Sequence, residues 1–359
     1  MKKKKVCFIT TRNIFNTTCL PRYAKILNDD FDIIYWDQHG IEENCGANNH
    51  YKFEYKMPYG KGKLKKAIGY LKFKNFAINI IKKNKYDSLI LLPTQTGLLF
   101  SKLLMTKYKG RFILDIRDYT AENNILIYQL EKKVIHSSGI TVITSPAYKT
   151  FLPKHEYLIS HNITKIDQEV INMYRKRTNI DKEKIVISCI GSIRFIDQFK
   201  KVIQSFANDD RFELRFIGRG SENLNDYCME KSIKNVMLKG RFNSEDTIGY
   251  YLDTDIIMNL YGNNNPFLDY ALSNKLYYAA TLGIPILVCP NTYMEDVTVS
   301  NGFGFTYDLD NPQMSDKLYE YYQSIDWDKF YNKSDKYMES VNMDENIFMK
   351  SIRDFIKGG

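Results

Sequence analysis

PFLDYALSNKLYYAATLGIPILVC, residues 266–289, is the stretch from which the rest of the chain is best read. Ser273 can cap a helix, because its hydroxyl accepts from a backbone N–H that the first turn leaves unpaired. Asn274 through Leu282 then reads as that helix, with Leu276, Ala279 and Ala280 turned toward a sheet. Gly283 stops it and Pro285 keeps it from resuming. Ile286, Leu287 and Val288 follow as a short strand buried on both faces. A helix entered this way aims its free N–H groups and partial positive charge away from the sheet. Lys275 stands in that first turn, where the dipole does not favour a cation. An anionic partner accounts for it, and so does a solvated lysine on an αβ unit.

Working outward, strand followed by loop and helix recurs on the N-terminal side of this stretch. KIVISCIG (184–191) is a strand ending in Gly191, and glycine after a strand lets the backbone approach a phosphate closely. GSIRFIDQFKK (191–201) adds Ser192 and Arg194. RFELRFIGRGSEN repeats the design with Gly218, Arg219 and Gly220, a pattern that an ordinary tight turn explains as well. NVMLKGRF is the next strand and turn, and DTDIIMNLYGNNNPF leads a buried strand into the opening stretch. Asp253 and Asp255 form an Asp-x-Asp, which elsewhere chelates a metal and a diphosphate. Here Asp255 directly precedes the apolar run IIM, so a structural aspartate is the better reading.

The N-terminal half alternates in the same way. KKVCFITTRN opens as a strand and loop, Pro21–Leu27 as a helix and Phe31–Trp36 as a second strand. SLILLP (88–93) and RFILDI (111–116) are further strands, separated by a helix from about Thr96 to Thr106. A helix from about Asn124 to His136 leads to the strand GITVITS. In such folds ligands bind beyond the carboxyl ends of strands. Thr11, Arg12 and Asn13 are therefore candidate acceptor contacts, and Arg117 and Asp118, just after a strand end, are candidate catalytic residues. Asp118 can orient or deprotonate a hydroxyl, while Arg117 can pair with it or with a phosphate. Asp115, alternating with apolar neighbours, reads as structural.

Bulk composition sets bounds. At 359 residues the chain exceeds one ordinary core, so two domains are expected. With 44% hydrophobic and 14% aromatic residues, global disorder is excluded. The six cysteines form no CxxC pair and fit a reducing compartment. No secretory signal and no apolar run of transmembrane length is visible, which predicts a cytoplasmic chain. The net charge of +9 is uneven: residues 1–163 carry 27 Lys/Arg against 13 Asp/Glu, and residues 164–359 carry 24 against 29. Residues 56–86 hold ten lysines and no acid. Leu64, Ile68, Leu71, Phe76, Ile78 and Ile81 would give this window an apolar face if it is helical. Lysines from Lys61 to Lys85 around such a face suit an anionic membrane surface. The plain alternative is an amphipathic core helix with solvated lysines. No base-stacking or helix-turn-helix pattern accompanies the charge, so nucleic acid is not expected.

NKLYYAATLGIPILV resembles the C-terminal signature of GT-B glycosyltransferases, above all glycosyltransferase family 4, which reads Pro-x-Lys-Leu-x-Glu-Tyr-x-Ala-x-Gly-x-Pro-Val-Val. Lys275, Leu276, Gly283 and Pro285 fall in step with it. Tyr278 stands where the family has the glutamate that holds the donor ribose. The glutamate eight residues earlier would fall at Tyr270, with Asp269 one position away. The resemblance implies a diphosphate clamp from Gly191 onward, with Ser192 at the family's arginine position and Arg194 as its replacement. It also implies a nucleotide base held along Val236 to Leu238 and at Phe242, and an Arg-Asp pair at Arg117 and Asp118.

Together these readings predict an α/β chain of GT-B type, two Rossmann-like doubly wound domains facing across a cleft. The expected bounds are 1–163 for the acceptor domain, 164–183 for a linker with one short helix, and 184–340 for the nucleotide-sugar domain. Residues 341–359 are expected as a helix returning to the first domain. The donor contacts would be Gly191, Ser192, Arg194, Gly218, Arg219, Gly220, Asp269, Ser273, Asn274, Lys275 and Tyr278. The expected activity is metal-independent, cofactor-free transfer of a sugar from a nucleotide-diphosphate sugar to a saccharide. The acceptor would be polyprenyl-diphosphate-linked, at the inner face of the cell membrane, in capsule or surface-polysaccharide assembly. A GT-B nucleotide-sugar epimerase and a catalytically silent nucleotide-sugar-binding protein are the alternatives.

Overall fold

The computed structural model describes residues 4–56, 63–177 and 184–358. The chain divides into two units, Met1–His161 with Met343–Gly359, and Asn162–Asn342. Lys61 and residues 178–183 of the expected linker lie outside the described residues.

The first unit is built on seven strands: β1 (Val6–Thr10), β2 (Asp32–Asp37), β3 (Asn49–Glu54), β4 (Ser88–Leu92), β5 (Phe112–Ile116), β6 (Ile140–Ile143) and β7 (Leu158–Ile159). They form one sheet in the order β3-β2-β1-β4-β5-β6-β7 with parallel pairing throughout. Strands β1, β2, β4 and β5 are buried along their whole length, as apolar runs covered by helices on both sides must be. Val6 and Phe8 pack with α1 (Leu20–Leu27) and with Phe348, Ile352 and Ile356 of the terminal helix.

The basic window folds as α2 (Lys63–Asn84), but its apolar residues do not share one face. At about 100° per residue, Gly69, Phe73, Ala77 and Ile81 fall on one side and are buried. Leu64, Ile68 and Leu71 fall on the other and are 76%, 41% and 59% exposed. A Cβ on Gly69 would come within 2.6 Å of the Trp36 ring, so this glycine lets the helix lie close to β2. The helix expected over Thr96–Thr106 is two, α3 (Thr94–Leu99) and α4 (Ser101–Thr106), broken at the buried Phe100. The fifth helix, α5 (Ile125–Ile135), is capped by Asn124, whose side chain accepts from the Leu126 and Ile127 amides.

The second unit begins with α6 (Gln168–Arg177), inside the window expected to link the domains. Its sheet holds β8 (Ile185–Ile190), β9 (Phe212–Ile217), β10 (Val236–Lys239), β11 (Ile256–Asn259), β12 (Ile286–Val288) and β13 (Gly304–Thr306). The order is β10-β9-β8-β11-β12-β13, again parallel. Its helices are α7 (Ile196–Ser205), α8 (Asn225–Glu230), α9 (Thr247–Leu252), α10 (Pro266–Asp269), α11 (Asn274–Leu282), α12 (Tyr293–Ser300), α13 (Met314–Gln323) and α14 (Trp327–Lys357). One face of the sheet packs on α7, α8 and α13, the other on α6, α9, α11, α12 and the first half of α14. From Met343 on, α14 belongs to the first unit. Two doubly wound parallel sheets covered by helices are therefore present, as the alternation of strand and helix predicts.

Candidate functional site

In the second sheet the strand order reverses between β8 and β11, and in doubly wound sheets ligands bind beyond the carboxyl ends of the strands at such a reversal. Gly191 follows β8 and Tyr261 follows β11. The segment Asn274–Leu282 is the helix its sequence predicts, with the Ser273 hydroxyl accepting from the Lys275 amide at 3.3 Å. Gly283 ends it in the left-handed region at φ 75°.

The Lys275 side chain turns inward and is 5% exposed, so it is not the solvated lysine that the stretch alone also allowed. Its Nζ donates to the Tyr261 hydroxyl and lies 4.9 Å from the centre of that ring. A Cβ on Gly191 would stand 3.9 Å from the same Nζ. Among the described residues no carboxylate pairs with this ammonium. Burial works against its charge, but Tyr261, Cys189 and Tyr251 outweigh it and hold the amine above the usual lysine range.

Three glycines bring the neighbouring loops together. Gly191, Gly218 and Gly220 have φ of 120°, 139° and 98°, in the region that favours glycine. A Cβ on Gly218 would fall 1.8 Å from the Gly191 carbonyl oxygen, and one on Gly220 would fall 2.2 Å from that of Ile193. The Ile193 amide donates to the Arg219 carbonyl at 2.9 Å, so the two strand-end loops are zipped through their backbones. Arg194 is exposed beside them, its Nε donating to Ser192 Oγ at 3.3 Å. The structure thus gathers Gly191, Ser192, Arg194, Ser273, Asn274 and Lys275 around one strand reversal, with the Gly218–Gly220 turn behind them. An anion set there would meet backbone N–H groups, a buried ammonium and an exposed guanidinium.

Other expected donor contacts have different surroundings. Tyr278 stacks on Tyr251 with ring centres 4.3 Å apart and donates to Thr164 Oγ1 at 3.1 Å, so its phenol is engaged. Asp269 closes the four-residue α10; its Oδ1 is buried without a partner, and burial pushes its carboxyl up. Val236 and Leu238 pack half-buried against the core from β10, which is an edge strand with one unpaired side. Phe242 meets Tyr250 edge to face at 5.0 Å. Tyr261 and Cys189, which shape the surroundings of Lys275, were not singled out from the sequence. Their positions at the ends of β11 and β8 are the signal that could have found them.

In the first unit the reversal lies between β1 and β4. Thr11 and Asn13 are buried and committed to the loops themselves. The Thr11 amide donates to Thr96 Oγ1 at 3.3 Å, and Asn13 Nδ2 donates to Asp37 Oδ1 and Glu43 Oε2, both at 2.8 Å. Neither is an open acceptor contact. Arg12 is half-exposed and has no side-chain hydrogen bond or ion pair among the described residues. Arg117 pairs with the aspartate two residues before it. Its Nε and Nη2 grip both oxygens of Asp115 at 2.8 and 2.9 Å, and Tyr23 donates to the same carboxylate at 2.8 Å. Residues two apart on a strand share a face, which brings this pair together. Asp118 is half-buried on the loop that follows. Asp255, with its Oδ2 accepting from the Val186 amide at 2.9 Å, is structural.

No helix among the described residues is long and apolar enough to cross a membrane. No protein-family model matches the sequence, and no curated protein matches it. Solved structures do match over nearly the full length. WaaG, a glycosyltransferase involved in lipopolysaccharide biosynthesis, matches with a TM-score of 0.64 at 11% identity over 99% of this chain and 100% of its own. Sucrose-phosphate synthase from Thermosynechococcus elongatus matches with a TM-score of 0.66 at 10% identity over 98% and 96%. Anabaena Alr3699/HepE in complex with UDP and glucose gives 0.66 at 11% identity over 97% and 99%. These neighbours are GT-B glycosyltransferases, and the fold of this chain is theirs.

Proposed function

We propose that this chain is a glycosyltransferase that moves a sugar from a nucleotide-diphosphate sugar to a saccharide acceptor. The observation that carries the reading is Lys275, an ammonium with 5% exposure and no carboxylate partner among the described residues, at the amide-rich start of α11. A buried charge wants an opposite charge, and a diphosphate supplies one. HepE, solved with UDP-glucose, supports a nucleotide sugar as the ligand. The base would lie along the open edge of β10 and at Phe242, with the diphosphate at Gly191, Ser192, Arg194 and the start of α11.

Transfer passes through an oxocarbenium-like centre, so the protein's main task is to stabilise the departing diphosphate. Lys275, Arg194 and the α11 amides serve that task in this proposal, without a metal. Asp118 would orient or deprotonate the acceptor hydroxyl. Arg117, tied to Asp115, would hold the base of its loop.

For the acceptor we infer a lipid-linked saccharide, as in capsule or other surface-polysaccharide assembly, met at the inner face of the cell membrane. Leu64, Ile68 and Leu71 form an exposed apolar stripe on α2, with Lys65, Lys66 and Lys72 exposed around it. That chemistry suits an anionic bilayer surface, to which each lysine contributes about 1 kcal/mol.

A second reading, a catalytically silent nucleotide-sugar-binding protein, is favoured by Tyr278, whose phenol is engaged by Thr164 where the resembling family has a carboxylate. The deciding experiment is a panel of nucleotide sugars, with and without lipid-linked saccharide, assayed for nucleoside diphosphate release. Release that depends on the acceptor establishes the transferase. Donor binding without release establishes the silent reading.

A further inference from the structure

The β5–α5 loop, residues 117–124, follows the Arg117–Asp115 pair and carries Asp118. Its turn is held by Glu122, whose Oε2 accepts from the Thr120 amide at 2.6 Å and the Ala121 amide at 2.8 Å. One carboxylate oxygen taking two N–H groups is a charged acceptor at work. The other oxygen, Oε1, is buried and has no partner.

Glu131, the seventh residue of α5, is the more unusual group. It is 0% exposed, and neither of its oxygens has a hydrogen-bond partner. Such a carboxyl, if ionised, would bear a large desolvation cost, and its electrostatic neighbour is another acid. The groups that could offset the charge do not. Glu122 faces it from the loop, Tyr128 lies on the same helix, and Tyr157 approaches from just before β7. Helices α3 and α4 pack on α5; α3 has no ionisable side chain, and the one on α4, Lys102, is exposed.

We propose that Glu131 is a positioning residue for the β5–α5 loop: it carries a proton, leaving Glu122 as the sole charge of the pair to hold the Thr120 and Ala121 amides. Removing that proton sets a second negative charge against Glu122 in a dry site and loosens the turn that bears Asp118. Burial, and then Glu122, push the Glu131 carboxyl up to about 8, so the loosening falls in the mildly alkaline range. The fold therefore binds this proton more tightly than the open chain does. The stability it lends is present in full below 4.5, the ordinary value, and is lost as the pH rises through about 8.

The test uses the full chain and two variants, Glu131→Gln and Glu131→Met. Neither removes a hydrogen bond, so both are expected to fold. Hydrogen exchange at the Thr120 and Ala121 amides, corrected for intrinsic base catalysis, is followed from pH 6 to 9 alongside thermal melting. In the wild type, protection falls above pH 8; in both variants it persists, and their melting-temperature advantage over wild type grows from pH 5 to pH 9. Variants that track the wild type at every pH overturn the proposal. So does a melting-temperature gap that stays constant across the range. Only the loop's part in transfer rests on the glycosyltransferase reading. There, the wild-type turnover should fall about tenfold from pH 7 to pH 9 beyond any fall in Glu131→Gln. The exchange and melting measurements need no transfer, so they decide the proton's place even if the transferase reading fails.

Discussion

A lysine ammonium buried beside a phenol and a thiol makes a sharper statement than an exposed one, because its two possible roles predict opposite stability effects. If Lys275 only braces the fold, removing it should destabilise. If it awaits a diphosphate, Lys275→Met removes a buried charge that no carboxylate among the described residues pairs with, and the free protein should melt at the same temperature or higher. The same variant should lose about 1.5–3 kcal/mol of affinity for a nucleoside diphosphate, read by calorimetry. Arg194→Ala, at an exposed site, should weaken donor binding with no change in melting temperature. Asp118→Ala should slow transfer by roughly a hundredfold while leaving donor affinity intact. Arg117 behaves differently: it grips the fully buried Asp115, so Asp115→Ala should cost about 3–5 kcal/mol in urea unfolding through loss of that buried ion pair. The sequence showed Arg117 and Asp118 as adjacent letters and suggested a pair. The backbone's two-residue period, which joins Arg117 to Asp115, was equally legible. Asn13 and Thr11 were legible as loop residues, but their burial depends on Asp37, Glu43 and Thr96, far off in the chain.

At the scale of elements, local signals read well and shared faces read poorly. Ser273, Gly283 and Pro285 fixed both ends of α11, because a cap is chemistry between near neighbours. Strand β3 went unseen, since NHYKFE is a half-exposed edge strand with no unbroken apolar run. The apolar residues of α2 were visible, but their division between Trp36 and solvent was not, because it depends on where β2 lies. That division makes a prediction. Replacing Leu64, Ile68 and Leu71 together with serine should leave the melting temperature within about 1 °C, since exposed side chains contribute little. It should abolish flotation with vesicles rich in anionic phospholipid, and high salt should weaken the wild-type interaction as well. Flotation unchanged by the triple substitution would place the membrane contact elsewhere. The turn at Gly218 is equally specific: Gly218→Ala drives a methyl into the Gly191 carbonyl and should cost about 1–3 kcal/mol or more, with loss of donor binding.

For the whole molecule, two parallel sheets were readable from the repeated strand–helix alternation, and each sheet reverses its order where the glycine or threonine loops follow a central strand. In the function proposed above, the donor diphosphate would lie at the β8–β11 reversal, where Gly191, Tyr261 and Lys275 meet. Identities of 10–11% to the solved glycosyltransferases show how far such an architecture outlasts its sequence, so the chemistry must be argued from the residues. The most direct measurement is calorimetric titration of the full chain with nucleoside diphosphates and with the matching nucleosides, repeated on Lys275→Met. The account predicts that at least one diphosphate binds tenfold or more tightly than its nucleoside, an estimate of about 1.4 kcal/mol or more, and that the variant erases the difference. Equal binding of diphosphate and nucleoside, or a variant that binds the diphosphate as the wild type does, would contradict it.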